Sequence, residues 1–152
     1  MKPSKAPAKT RARKPSPRPG QTPPVVEKTS KCRCIAGVGA SAGGLDALRG
    51  FFSAIPADSG AAFVVVGHHG AQGSSDLPLL LSSSANGLSV RWAAHRMEVR
   101  PNTVYISPGV KDVVIRDGRL ELLNEKPGEH VRLPVDFFLQ SLALDCGDKA
   151  VA

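Results

Sequence analysis

Gly39-Ala40-Ser41-Ala42-Gly43 sets a serine at the centre of a Gly-x-Ser-x-Gly sequence, the spacing of a nucleophile elbow. Glycines on both sides of the serine permit a sharp turn from strand to helix and leave the hydroxyl above the strand ends. The helix that follows would offer its positive end to a developing negative charge, with the Ala42 N–H as candidate oxyanion donor. A serine hydroxyl needs a base. Gly67-His68-His69 follows the next apolar run, and neighbouring parallel strands would bring His68 to the edge that carries Ser41. There an imidazole could take the hydroxyl proton during attack on a carbonyl. The same residues admit two other readings. Ser41 could simply cap the helix. Gly37-Val38-Gly39-Ala40-Ser41-Ala42 also fits Gly-x-Gly-x-x-Ala, the phosphate-binding turn of a dinucleotide-binding domain. That fold wants Asp or Glu at the end of the second strand to hold a ribose, where this chain has Gly67-His68-His69.

The elements needed to position these residues are legible. Cys34 to Val38 is short, apolar and followed by the glycine-rich turn, which predicts a strand. Leu45, Leu48, Phe52 and Ile55 recur at helical spacing until Pro56. Ala61 to Val66 is a continuous apolar, β-branched run, the pattern of a central parallel strand covered on both faces. The unit is βαβ. Leu77 to Leu81 predicts a helix, and Leu88 to Trp92 and Val104 to Ser107 predict strands. Val113 to Ile115 and Leu120 to Leu122 flank Asp117-Gly118, a pair suited to the positive φ angles of a tight hairpin. Pro134 stands where a first helical residue belongs, and Phe137, Phe138, Ser141, Leu142 and Leu144 predict a largely buried helix. Lys149 to Ala152 has the character of a strand beginning. Trp92 and Tyr105 are expected to pack in or beside the core.

Composition limits the class. With 152 residues, one domain is expected, and no apolar run approaches the ~20 residues that cross a bilayer, so membrane insertion is not expected. Three cysteines cannot close a disulfide framework, and a cytoplasmic location is the default. Cys32-x-Cys34 lacks both the usual spacer and a second ligand pair, so neither zinc nor any other cofactor is expected. His69, His95 and His130 have no partner evident in the sequence. The formal charge of +7 is unevenly placed: residues 1–33 carry ten Lys or Arg against Glu27 alone, while the rest carries ten basic and twelve acidic residues. Residues 1–30, rich in Pro, Lys and Arg, are expected to be a disordered basic tail able to brush weakly against polyanions, and residues 31–152 the folded domain.

Four blocks in order resemble the catalytic domain of chemotaxis protein-glutamate methylesterases, the CheB type. They are Ile35 to Leu45, Phe63 to His68, Pro101 to Pro108 and Leu133 to Phe138. The resemblance covers roughly Cys34 to Ala152. It implies a doubly wound, mainly parallel α/β sheet with helices on both faces, C-terminally incomplete. It also implies hydrolysis of glutamyl methyl esters, and deamidation of glutamines, on methyl-accepting chemotaxis receptors. The family's nucleophile maps to Ser41 and its base to His68. Gly67 and Ala42 stand where the family often has Gln and Thr. The family's orienting aspartate comes after the strand that would follow Asp148, and Asp136, Asp145 and Asp148 do not match it. The expectation is therefore a truncated, weakly active or inactive enzyme without a receiver domain. The alternative is a vestigial, non-catalytic binding module.

Overall fold

The computed structural model describes residues 31–41, 43–67, 76–124 and 133–152. The predicted basic tail over residues 1–30 lies outside them. The chain runs through β1 (Ile35–Ala40), α1 (Leu45–Ser53), β2 (Ala62–Gly67), α2 (Leu77–Ser82), β3 (Ser89–Trp92), β4 (Met97–Glu98), β5 (Thr103–Ile106), β6 (Asp112–Arg116), β7 (Arg119–Leu123), α3 (Pro134–Cys146), a 3-10 turn (Gly147–Lys149) and β8 (Ala150–Val151). Among the described residues the central sheet has the order β3-β5-β2-β1-β8, with every pairing parallel. The expected mainly parallel α/β architecture is what the molecule adopts. β2, buried along its whole length, is the middle strand, as its unbroken apolar run requires.

Strand alternation divides the core in two. Phe63, Val65, Val104 and Ile106 point to one face, where Leu48 and Phe52 of α1 and Leu81 of α2 cover them. The ring of Phe52 meets that of Phe63 edge-on at 5.5 Å. Val64, Val66 and Tyr105 point to the other face, beneath Phe138 and Leu142 of α3 and Val113, Ile115 and Leu120 of the β6–β7 hairpin. Helices thus lie on both faces.

Three sequence expectations are corrected, and one strand is added. β1 begins at Ile35 and continues through Gly39 and Ala40, which pair with Val66 and Gly67, so part of the glycine-rich turn is strand. α3 is buried along one stripe only: Phe138 and Leu142 are buried, whereas Phe137 is 44% and Leu144 89% exposed. The physical reason is that α3 meets the central sheet and β6 along one side only, so residues one position off that stripe face solvent. β4, too short for a sequence pattern, joins the hairpin in a separate antiparallel sheet of order β4-β7-β6. His95 has a partner after all, since its Nδ1 accepts the Leu122 N–H at 3.2 Å.

The hairpin turn has φ 51° at Asp117 and 68° at Gly118, the double positive angle its residues predict. Polar groups of α3 hold this second layer in place. Ser141 Oγ accepts the Ile115 N–H at 3.0 Å and donates to the Phe138 carbonyl at 2.8 Å, occupying a donor on the outer strand of the small sheet. The Asp145 carboxylate accepts the N–H groups of Asp117 and Gly118, the latter at 3.0 Å. Buried Tyr105 accepts the Arg100 N–H at 2.9 Å and donates to the Glu98 carbonyl at 3.2 Å.

Candidate active site

β1 and β2 leave the sheet together, because their register ends on Ala40↔Gly67. Ser41 follows Ala40 directly and is exposed. The Gly44 N–H donates to the Ser41 carbonyl at 3.0 Å and Gly43 takes φ 93°, so Ser41 to Gly44 is a tight turn that only glycine enters without strain. Gly44 is the N-cap of α1, and no side chain caps the helix. Ser41 therefore does not serve as its cap, and it stands in the turn just beyond the end of β1. α1 starts beside the turn with its positive end toward the Ser41 edge. Ala42, the predicted oxyanion donor, lies outside the described residues, as do His68, His69 and His130. His68 follows Gly67 by one peptide bond, at the end of the strand paired with β1.

The dinucleotide reading fails on the position of its glycines. Gly37 and Gly39 lie inside β1 rather than in the turn, and both face α3. A Cβ on Gly37 would stand 2.5 Å from Leu139 Cδ2, and one on Gly39 would stand 3.2 Å from Val135 Cγ1. These glycines let a helix approach a strand; they do not cradle a phosphate. Their consequence for the site went unread in the sequence. The N-terminal turn of α3 is seated directly behind Gly39, two residues from Ser41, and Asp136 is an exposed carboxylate in that turn. Glycines alternating within a predicted strand were the signal, since such a stripe has to be covered by a close neighbour.

Beyond β2 the same edge continues into Ser107, which is buried and donates its N–H to the Val65 carbonyl at 2.8 Å. Asp145, by contrast, is committed to the hairpin turn, and Asp148 precedes β8, whose pairing with Ile35 and Ala36 puts it at the opposite edge. Among the described residues no group of three His, Cys, Asp or Glu side chains could hold a metal ion. Cys32 and Cys34 pack against opposite core clusters and so do not form a chelating pair.

The sequence profile described as CheB methylesterase matches residues 36–152. The chain belongs to the CheB methylesterase family. Among curated proteins, a protein-glutamate methylesterase/protein-glutamine glutaminase 1 of Xanthomonas campestris pv. campestris is 34% identical over 123 residues, covering 78% of this chain and 34% of its own length. The protein of the same description from Geobacter metallireducens is 30% identical over 118 residues, covering 75% of this chain and 32% of its own. This CheB-family chain thus spans about a third of the length of the curated relatives it matches. Among solved structures, the CheB methylesterase catalytic domain of Thermotoga maritima superposes with a TM-score of 0.66 at 30% identity, covering 77% of this chain and 64% of that one. Among the described residues no helix is long and apolar enough to cross a membrane.

Proposed function

We propose that this CheB-family chain carries the nucleophile and base of a protein-glutamate methylesterase. The observation that carries this reading is the exposed serine of the Gly39 to Gly43 turn, at the end of a strand whose register terminates beside the strand preceding His68. Ser41 Oγ attacks the glutamyl ester carbonyl while His68 accepts its proton. The tetrahedral oxyanion forms near the positive end of α1. His68 then protonates the departing methoxide, methanol leaves, and water hydrolyses the acyl-serine in a second round with the same base. A glutamine side chain at the same place would release ammonia instead. The substrates are methylated glutamates on chemotaxis receptors, reached from the cytoplasm. The folded unit is residues 31–152, and the basic tail of residues 1–30 supplies a separate, salt-sensitive attraction to polyanions.

The test is methanol release from methylated receptor, with labelling by a fluorophosphonate as a turnover-independent readout. Ser41→Ala and His68→Ala are each expected to abolish whatever turnover the chain shows, because attack and proton transfer act as a unit. The label is expected on Ser41 and is lost in Ser41→Ala. Turnover retained in Ser41→Ala, or label on another residue, would overturn the assignment.

A further inference from the structure

At the edge of the sheet opposite Ser41 is a cavity of about 350 Å³ lined by Cys32, Cys146, Lys31, Val99, Asp145 and Lys149, with Ile35 at its floor. Two cysteines therefore line one space. Both pack against the core cluster beneath α3, whereas Cys34 packs against the cluster on the other face of the sheet. The strand register brings the segments that carry them to one edge of the sheet. β1 and β8 are parallel neighbours with Ile35 opposite Ala150, so the residues leading into the two strands run side by side. Cys32 is three residues before Ile35, and Cys146 closes α3 four residues before Ala150.

We propose that Cys32 and Cys146 are a redox pair that closes into a reversible disulfide, fastening the lead-in of β1 to the C-terminus of α3. With a small disulfide such as oxidised glutathione as oxidant, the first cysteine thiolate attacks one of its sulfurs. The glutathione S–S bond breaks, a mixed disulfide forms and one glutathione thiolate leaves. The second cysteine thiolate then attacks the protein sulfur of that mixed disulfide. The Cys32–Cys146 bond forms and the second glutathione thiolate departs. Two protein thiols are oxidised, one glutathione disulfide is reduced, and the two protons lost by the cysteines end on the two glutathiones. Burial raises the pKa of both thiols; the adjacent Asp145 carboxylate raises that of Cys146 further, while a backbone hydrogen bond at Cys32 and the Lys149 ammonium at both lower it by less. Closure should therefore be slow at neutral pH and faster as the thiolate population grows toward pH 9. The cross-link encloses most of the folded chain, and it acts by restricting the unfolded ensemble.

The experiment incubates the full chain with oxidised glutathione at about pH 8.5, alkylates the remaining thiols and maps the peptides by mass. The expected product joins Cys32 to Cys146 within one chain and leaves Cys34 alkylated. It melts roughly 5–10 °C higher than the reduced protein, and dithiothreitol reverses the shift. Cys34→Ser should keep both the link and the shift, and Cys146→Ser should lose both. A final product of glutathione adducts, of Cys32–Cys34 or of cross-linked dimers would overturn the proposal. So would a Cys32–Cys146 link that leaves the melting temperature unmoved.

Discussion

The two faces of the central sheet are covered by different means. On the α1–α2 face, β1 presents Ala36, Val38 and Ala40, and the packing is apolar, with the rings of Phe51, Phe52 and Phe63 in mutual edge-on contact. On the α3 face, β1 presents Gly37 and Gly39, and the covering layer is tied down by Ser141, Asp145 and the Tyr105 hydroxyl. Apolar burial is non-directional and tolerates small shifts of its members. A helix pressed onto bare backbone and a hairpin hung on two polar groups of that helix are not tolerant. The stricter face is also the one that seats the N-terminus of α3 behind Ser41.

The largest effect that would sharpen this comparison comes from truncating the central ring on each face. Phe138→Ala and Phe52→Ala should each cost about 3–5 kcal/mol in urea unfolding. Phe138→Ala is expected to cost more, because Gly37 beneath it has no side chain to move into the gap. Equal losses, or a larger loss at Phe52, would break the comparison. Next is the reciprocal change within β1. Gly37→Ala should cost about 1–3 kcal/mol by overpacking Leu139, whereas Ala36→Gly on the other face should cost nearer 1 kcal/mol. A neutral Gly37→Ala would show that α3 yields easily.

A smaller effect is expected at Ser141. Ser141→Ala leaves the Ile115 N–H without its partner and should cost about 1 kcal/mol, with faster amide exchange at Ile115 as the local readout. The smallest effect is alkaline. Cys32, Cys146 and Tyr105 all belong to the α3 face, and burial raises the pKa of each above ordinary values of 9.0 for the thiols and 10.0 for the phenol. An acid whose pKa is raised by folding holds its proton longer in the native state. Its contribution is complete below the unfolded value and declines as pH rises beyond it. Thermal unfolding followed from pH 8 to about 10.5 should thus show stability falling from about pH 9, and Cys32→Ala should flatten part of that fall.

The chain's sequence determined the elements and their order. An apolar β-branched run has to be a buried strand, Asp117-Gly118 has to turn, and Pro134 has to open a helix, because each rests on local geometry or on a period that neighbours in sequence carry themselves. The Gly-x-Ser-x-Gly turn was legible for the same reason: a serine between glycines at a strand-to-helix junction states its own backbone requirement. The seating of α3 on Gly37 and Gly39 and the commitment of Asp145 to a turn 27 and 28 residues away were decided only by tertiary structure. They depend on register and on the distance between layers. Register is set by which faces bury together across the whole sheet, so no local window of sequence contains it.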